Sequence, residues 1–285
     1  MKEYIGGTYT GERAMFQAEN AIFKECTFDD GESPLKHSSN IKIYESSFKW
    51  KYPIWYSHDI FVSGSTFFEM GRAGIWYTNN ITVKDTMYIA PKGFRRCDGI
   101  TLESVSFTNA AETLWDCKNV KMNNVSANGD YLAMNCENME IDGLELVGNY
   151  CFDGAKNINI RNSRLISKDA FWNSENITAE GCYISGEYLG WNAKNLTLIN
   201  CTIESLQGLC FVENLKMINC RLLNTTLAFE YSTVDADIRG TIDSVKNPSG
   251  GIIRCDGIDE LIMERDKVDV NKTKIQIRLD SKNAV

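Results

Sequence analysis

The apolar residues of this chain follow a phrase that recurs about every 19 or 20 residues. In each phrase an asparagine precedes an apolar, a polar and a second apolar residue, as in residues 40–43 (Asn-Ile-Lys-Ile). The position of this asparagine, which we call the slot, falls at residues 20, 40, 59, 80, 99, 119, 138, 157, 176, 195, 214 and 233. Asp59, Gly99 and Thr233 occupy the slot in place of asparagine, and we expect Gly257 to open one further turn.

Apolar and polar residues alternate within each phrase, which is the period of a β-strand and not of a helix. Helical repeats need more residues, and propeller blades need about 40. A repeat this short therefore predicts a solenoid, in which each repeat forms one coil of short strands and equivalent residues stack in register. The phrases within one coil are unequal, unlike hexapeptide repeats. We predict an all-β fold, a right-handed parallel β-helix of about 13 coils.

This pattern predicts one domain over residues 1–285, with an N-terminal cap at 1–18, coils at 19–264 and a C-terminal cap strand at 265–285. Each coil buries its apolar face only against its neighbours, so the ends need covering. Residues 274–279 alternate with charges on one face, which is typical of a protected edge strand. In the slot, asparagine tolerates left-handed backbone at a bend, and stacked asparagines can hydrogen-bond along the axis.

Three features of the sequence together indicate a family. They are the opening residues 4–7 (Tyr-Ile-Gly-Gly) with 11–14 (Gly-Glu-Arg-Ala), the Asn-Ile-x-Ile coils, and a ladder of Trp and Tyr. The chain resembles a bacterial family of unknown function within the pectin-lyase-like right-handed parallel β-helix class. The resemblance covers essentially the whole chain and implies the fold, but no activity. The polygalacturonase phrases Asn-Thr-Asp, Gly-His-Gly and Arg-Ile-Lys are absent from the sequence.

Charge and hydropathy limit the kinds of molecule that this protein is expected to bind. The formal net charge is −8 and the pI is about 5.0, which disfavours nucleic acid, since duplex binding needs a basic face. No stretch of 18 apolar residues and no signal-type segment is visible, so we expect no membrane contact and a cytoplasmic location. The sequence does not indicate an oligomeric state.

Ten cysteines and two histidines invite a metal or disulfide interpretation. Six of these cysteines fall in two columns of the repeat, which they share with Ser, Ala, Val and Thr: Cys97, Cys117, Cys136, Cys182, Cys201 and Cys220. We interpret them as small buried residues in a reducing compartment. Metal binding would need Cys-x-x-Cys or mixed Cys/His spacing, so we predict no metal and no cofactor. His37 and His58 are expected at the surface.

Tryptophan recurs four residues before the slot, at Trp55, Trp76, Trp115, Trp172 and Trp191. Strict alternation places this column on the inward side, with the small residues two positions before the slot. We therefore predict that the tryptophans belong to the core. The alternative is an exposed aromatic ladder that grips sugar rings.

The column three residues before the slot is polar and is predicted to face outward, beside tyrosines seven residues before the slot. Asn and Asp can hydrogen-bond sugar hydroxyls, and Tyr can stack on sugar rings. An ordinary solvated sheet face is the alternative. The predicted ligand-binding residues are Tyr56, Tyr77, Arg96, Asp116, Tyr131, Asn135, Tyr150, Asn173 and Asn192.

We expect a non-catalytic binding or structural protein with carbohydrate as the candidate ligand. One alternative is a hydrolase or lyase that uses Asp116 with Asp153 or Glu230, and another is a protein-interaction scaffold. Glycoside hydrolysis needs two carboxyl groups about 5–9.5 Å apart. Asp116 and Asp153 lie two coils, or roughly 10 Å, apart, but Asp153 falls in a nominally inward column. The coils have few spare residues to build a cleft, which disfavours the enzyme.

Overall fold

The protein was analysed as a computed structural model, which describes residues 1–278. The chain divides into two compact units, Met1–Gly148 and Asn149–Val285. Among the described residues, no helix is long and apolar enough to cross a membrane.

The first unit consists of short strands joined by tight bends. Its strands are β1 (Lys2–Ile5), β2 (Thr8–Tyr9), β3 (Glu19–Lys24), β4 (Thr27–Phe28), β5 (Ser39–Tyr44), β6 (Ser47–Phe48), β7 (Ile54–Trp55), β8 (His58–Ser63), β9 (Thr66–Phe67), β10 (Ile75–Trp76), β11 (Asn79–Lys84), β12 (Met87–Tyr88), β13 (Phe94–Arg95), β14 (Asp98–Glu103), β15 (Ser106–Phe107), β16 (Lys118–Asn128) and β17 (Glu137–Val147).

The described part of the second unit is built in the same way and adds one turn of 3₁₀ helix at Val270–Lys272. Its strands are β18 (Lys156–Arg161), β19 (Arg164–Ile166), β20 (Glu175–Glu180), β21 (Tyr183–Ser185), β22 (Lys194–Ile199), β23 (Thr202–Leu206), β24 (Leu215–Thr226), β25 (Thr233–Ile238), β26 (Thr241–Lys246), β27 (Gly250–Cys255), β28 (Gly257–Ile262) and β29 (Thr273–Ile277).

Within each unit the strands form parallel ladders along the coil axis. The main ladder of the first unit joins β1, β3, β5, β8, β11, β14, β16 and β17. A second ladder joins β2, β4, β6, β9, β12 and β15, and a third joins β7, β10 and β13. In the second unit, the main ladder joins β18, β20, β22, β24, β25, β27 and β29. Equivalent residues pair directly, such as Ile81 with Ile100.

The predicted fold class is confirmed: residues 1–278 form an all-β parallel solenoid with a repeat of about 19 residues. It has about 15 turns, close to the predicted 13. Residues 1–18, the predicted N-terminal cap, take the conformation of a further coil, since Lys2 pairs with Ala21 and Thr8 with Thr27. Of the alternating residues 274–279, Leu279 lies outside the described residues.

One predicted slot was wrong. Gly257 does not open the last turn, because it begins β28 and pairs with Thr241. Gly250 is the residue that pairs with Thr233 and so occupies the slot position. The intervening residues 247–249 (Asn-Pro-Ser) interrupt the repeat, and the repeat distance could not be extrapolated across them.

A stack of aromatic rings fills the interior of the first unit. Its members stand eight residues after each slot and are at most 1% exposed: Phe28, Phe48, Phe67, Tyr88 and Phe107. Adjacent rings stack with centroids 4.5 Å apart for both Phe48–Phe67 and Phe67–Tyr88. The Tyr88 hydroxyl donates to the Gly93 carbonyl at 3.4 Å, and burial raises the Tyr88 pKa. Each such ring contributes up to about 1.5–3 kcal/mol through burial.

The interpretation of the cysteines as buried residues is confirmed. All ten are buried and none is in a disulfide. In the second unit the thiols of Cys201 and Cys220 donate to carbonyls of an adjacent coil, at 3.4 Å to Ala179 and 3.2 Å to Leu198. Burial strongly raises the pKa of the Cys97 and Cys117 thiols in the first unit. Cys97 and Cys117 are therefore neutral packing residues.

The slot asparagines form the predicted ladder. Asn40, Asn80 and Asn176 have φ of 52°, 53° and 58°, in the left-handed region. Asn176 Nδ2 donates to Asn157 Oδ1 at 2.9 Å, and Asn195 Nδ2 donates to Asn176 Oδ1 at 2.8 Å. Asparagine thus serves twice at each bend, because its side chain tolerates this backbone and also joins neighbouring coils.

Asn176→Ala is expected to destabilise the protein by about 2 kcal/mol, because it removes two exposed hydrogen bonds and places a methyl group in left-handed backbone. Asn176→Gly loses the same hydrogen bonds without the steric penalty, so its loss should be about 1 kcal/mol smaller. Urea unfolding followed by circular dichroism measures both. Equal losses would show that left-handed backbone does not explain asparagine at the slot.

Candidate functional site

The column three residues before the slot, which we call the corner column, turns the chain at one edge of each coil. Its members all have φ near 50–55° in the middle of the first unit: Tyr56, Tyr77, Arg96, Asp116 and Asn135. Tyr56, Arg96 and Asn135 are exposed, and Tyr77 and Asp116 are half-buried.

Side chains of the corner column contact one another in sequence. The rings of His37 and Tyr56 have centroids 5.3 Å apart, and those of Tyr56 and Tyr77 are 4.6 Å apart and inclined by only 5°. The Arg96 guanidinium lies 6.0 Å from the centre of the Tyr77 ring. Its Nε lies 3.7 Å from Asp116 Oδ2. The column is therefore one continuous row of stacked side chains.

The tryptophans four residues before the slot are not core residues. Trp55, Trp76, Trp115 and Trp191 are half-buried, and Trp172 is 37% exposed. Alternation failed here because the left-handed corner residue that follows turns the chain, so this column lies at the coil edge. We call it the inner column, since it lies immediately behind the corner column.

Arg95 belongs to the inner column and was missed in the sequence. Its guanidinium carbon lies 4.5 Å from the Trp76 ring centre and 4.6 Å from the Trp115 ring centre. The Trp76 Nε1–H donates to the Lys92 carbonyl at 3.0 Å, which fixes the ring. Glu112 accepts from Arg95 at 3.4 Å. The signal was available, because Arg95 occupies a position that Trp fills in neighbouring coils.

The geometry changes how the tyrosines can bind a ligand. Tyr56 and Tyr77 lie face to face, as do Trp55 and Trp76 at 5.1 Å, so each ring covers the face of the next. Ring edges and hydroxyls are what the solvent reaches. The hydroxyls of Tyr56 and Tyr77 have no hydrogen-bond partner among residues 1–278. We call this row of exposed and half-buried side chains the polar stripe: Tyr56, Tyr77, Arg96, Asp116 and Asn135.

Asp116 is held within the polar stripe. Besides its contact with Arg96, its Oδ1 accepts from Asn135 Nδ2 at 3.3 Å. Tyr131, also predicted as a ligand residue, is 36% exposed, and its carbonyl accepts from Trp115 Nε1 at 2.8 Å. Five predicted residues are therefore brought into one row in the first unit, with Tyr131 packed beside it.

The second unit holds the remaining predicted residues in a separate arrangement. Asn192 Nδ2 donates to Asn173 Oδ1 at 2.8 Å, and Asn173 Nδ2 donates to Asp153 Oδ1 at 3.4 Å. Tyr150 lies 6.5 Å from Trp172, ring centre to ring centre. These amides are largely engaged with each other.

The predicted catalytic carboxylates differ in their surroundings. Glu230 has a side chain only 14% exposed and forms an ion pair with Lys246 at 2.9 Å. Asp153 is half-buried, and desolvation raises its pKa, opposed by the Asn173 hydrogen bond. Desolvation also raises the pKa of Asp169, to which the Asp153 charge contributes. The charge interaction between Asp153 and Asp169 was not recognised in the sequence, because the two residues occupy different columns.

The structure shows no candidate metal site in residues 1–278, where no three His, Cys, Asp or Glu side chains are grouped so that they could hold an ion. His37 and His58 are both exposed, as predicted. His58 Nδ1 lies 2.8 Å from Asp59 Oδ2 at the slot. Neither histidine contacts the carboxylates discussed above.

Asp153→Asn should stabilise the protein at neutral pH. Folding raises the Asp153 pKa. The contribution of this carboxyl group to the stability of the fold is therefore present at acidic pH and is lost as pH rises through the folded-state pKa. The gain in melting temperature should therefore be present near about pH 7 and shrink towards about pH 4.

Asp59→Asn is the control of opposite sign. Hydrogen bonds from His58 and Asn80 lower the Asp59 pKa. This substitution should therefore destabilise the folded protein at neutral pH, and the loss of stability should become smaller at acidic pH. Thermal melts across the pH range measure both. A stability change of Asp153→Asn that is independent of pH would contradict the assignment.

Comparison with known proteins gives fold relatives at low identity and one family. No curated protein matches the chain. Among solved structures, a tailspike protein of E. coli bacteriophage HK620 is 11% identical over 96% of this chain and 72% of its own, with a TM-score of 0.43. The surface adhesin PfbA of Streptococcus pneumoniae is 11% identical over 93% and 74%, with a TM-score of 0.37. The A-module of the mannuronan C-5 epimerase AlgE4 of Azotobacter vinelandii is 10% identical over 98% and 87%, with a TM-score of 0.32.

Scores this low support no inference about what this chain does. The sequence model of one family matches residues 2–276, almost the full length. Its description is "Protein of unknown function (DUF3737)", and the opening residues and coils that suggested such a family lie within the match. The chain belongs to this family of unknown function.

Proposed function

We propose that this chain is a non-catalytic carbohydrate-binding protein and that the polar stripe of the first unit is its binding surface. The observation that supports this most is the unbroken row of Tyr, Arg, Asp and Asn side chains on consecutive coils. Coils repeat about every 4.8 Å, so the row offers hydrogen-bonding groups at regular intervals along one line. A polymer of hydroxyl-bearing rings presents partners in the same repetitive way.

The chemistry of the polar stripe fits hydroxyl groups. The tyrosine hydroxyls can donate or accept, Asn135 offers both an amide donor and a carbonyl acceptor, and Asp116 accepts. Arg96 has only one contact to an acid, through Nε at 3.7 Å, which leaves its outer nitrogens available to a ligand. Binding would proceed through hydrogen bonds to side-chain tips, since neighbouring rings already cover the Tyr56 and Tyr77 faces.

Other surfaces fit this role less well. The corner column of the second unit, three residues before each slot, holds Asn173 and Asn192 but no tyrosine or arginine, and both amides hydrogen-bond to neighbouring side chains as Asn135 does. A protein-interaction scaffold remains an alternative, for which the flat sheet faces would serve. The acidic net charge of −8 disfavours nucleic acid as the ligand. We also propose a cytoplasmic location, because columns of stacked thiols suit a reducing compartment.

The enzyme is the second candidate, and the raised pKa values of Asp153 and Asp169 favour it. A carboxyl group that keeps its proton at higher pH than usual can act as a general acid. The pair differs from the one expected in the sequence, since Glu230 is neutralised by Lys246 and Asp116 contacts Arg96 and Asn135. Ordinary desolvation at a coil edge gives the same shifts, so binding is the proposal we favour.

Tyr77→Phe and Tyr77→Ala distinguish binding through hydroxyls from ring stacking. If the hydroxyl is the contact, removing it alone should weaken glycan binding about fivefold to tenfold, and the alanine variant should be little worse. A glycan array followed by calorimetric titration with millimolar ligand measures this. Tyr44→Ala, on a sheet face of the same unit, is the matched control. Binding retained by phenylalanine but lost by alanine would instead indicate ring stacking, and no signal for any glycan would refute the proposal.

Turnover of a glycan panel tests the enzyme candidate. A non-catalytic protein should release no shorter product from any member of the panel, measured by mass spectrometry after long incubation. Cleavage that persists in Asp116→Ala and disappears in Asp153→Asn would establish the Asp153–Asp169 site. Cleavage that disappears in Asp116→Ala would place the chemistry in the first unit.

A further inference from the structure

An open pocket in the second unit lies away from the polar stripe and has a different composition. Its volume is about 740 Å³, within the range of roughly 300–1,000 Å³ that is typical of small-molecule sites. The polar lining includes Arg221, Asp237, Arg239, Thr241, Asp256 and Arg278. Three arginines against two aspartates give it a positive balance on a chain whose net charge is −8.

The two aspartates of this pocket are already engaged. Asp256 Oδ1 accepts from Arg278 at 2.7 Å, and its Oδ2 accepts from the Gly240 amide at 2.6 Å. These contacts, first the Gly240 amide and then Arg278, lower the Asp256 pKa. Arg278 also pairs with Asp237 and donates to the Ile238 carbonyl at 2.8 Å. Arg278 is therefore fixed and largely neutralised.

Arg221 and Arg239 lie on neighbouring coils, and neither is held by direct contact with a carboxylate as Arg278 is, although the Arg239 charge also contributes to lowering the Asp256 pKa. Arg239 N–H donates to the Cys220 carbonyl at 2.7 Å, and Cys220 pairs with Ile238 in the β24–β25 ladder. The two arginines follow those paired residues, and both are exposed. In residues 1–278 neither forms an ion pair with an acidic side chain.

This arrangement departs from the rule followed elsewhere in the unit. Neighbouring charges along the β18–β20 ladder are opposite, as in Lys156 with Glu175 at 3.4 Å, and Lys194 pairs with Glu213 at 3.1 Å. Like charges directly opposite each other on adjacent strands are destabilising. Two adjacent arginines that face one pocket are explained if an anion binds between them.

We propose that this pocket binds the tetrahedral oxyanion of a phosphate or sulfate ester, held between Arg221 and Arg239. Two planar guanidinium groups on neighbouring coils can each donate two hydrogen bonds, which matches a group with three free oxygens better than a carboxylate with two. The Thr241 hydroxyl supplies a further donor at the lining. The pocket is much larger than one oxyanion, and Leu223, 47% exposed, offers an apolar surface to the rest of the ester.

Calorimetric titration at constant ionic strength tests the class of ligand, with inorganic phosphate, inorganic sulfate, glucose 6-phosphate and acetate as probes against a chloride background. Phosphate and sulfate should bind in the millimolar range, and the ester should bind more tightly than free phosphate because it also contacts the wider pocket. A free ion as tight as the ester would overturn the ester assignment. Acetate as tight as phosphate would overturn the tetrahedral assignment.

Arg221→Gln and Arg239→Gln should each weaken phosphate binding about tenfold, since each removes charged hydrogen bonds. Arg72→Gln, an exposed arginine of the first unit without an ion pair among the described residues, is the charge-matched control and should leave binding unchanged. Equal weakening by all three variants would mean general charge attraction and would refute the site.

Melting temperature gives a second readout, which also reports the stability of each variant without ligand. Without ligand, Arg239→Gln should melt close to the wild-type temperature, because it removes the repulsion between Arg221 and Arg239 but also the attraction of Arg239 to Asp256. At the same phosphate concentration, the melting temperature should rise more for the wild type than for Arg239→Gln, because the variant binds phosphate more weakly. A variant that melts well below wild type without ligand would show that Arg239 stabilises the fold and would contradict the proposal. Glycan binding at the polar stripe is independent of every one of these outcomes.

Discussion

Parallel pairing in exact register between successive coils is the constraint on which the rest of this structure depends. Each residue lies beside its equivalent in the next coil, about 4.8 Å away. Side chains of the same type therefore stack on one another within a unit. Aromatic rings and asparagines gain from this arrangement, as the Phe48–Phe67 stack and the Asn176–Asn195 hydrogen bond show. Charged side chains of the same sign are destabilised by this arrangement, because like charges on adjacent strands repel. Lys118 is accordingly paired with Glu137, of opposite charge, at 2.9 Å.

The same constraint explains the unusual backbone. A coil of about 19 residues must turn several times, and each turn repeats at the same position in every coil. Asn and Gly tolerate left-handed backbone, but the corner column also places Tyr56, Tyr77 and Arg96 there, with φ of 50–55°. Such backbone is unfavourable by about 1 kcal/mol or more for each bulky residue. Contacts along the column, such as the parallel Tyr56–Tyr77 rings, offset part of that penalty.

The repeat could be predicted from the sequence because it depends on side chains that pack against their equivalents in the adjacent coils. Slot asparagines, the phenylalanine stack and the cysteine columns each need only the residue above and below. The tryptophans were misassigned because two-residue alternation holds only within extended strand, and Asp116 and its equivalents turn the chain immediately after them. The last slot was misplaced for a related reason, since Pro248 and its neighbours change the length of the coil.

The candidate site shows a further limit of pattern reasoning. Columns identify which residues share an edge, and the row from Tyr56 to Asn135 was found in that way. They do not show that stacking hides the ring faces, or that the Arg95 guanidinium packs on the Trp76 and Trp115 rings, because both depend on side-chain orientation.

Departures from the repeat are where a solenoid can form a pocket. A regular column gives a polymer a long and shallow surface, as the polar stripe does. A pocket needs side chains that do not repeat, and the second unit acquires one near the irregular register between Met217 and Cys220. Arg221 and Arg239 follow that irregularity and break the alternation of charge. Repetition and its interruption are thus the physical basis of the two ligands we propose, an extended glycan on the first unit and a compact anion on the second.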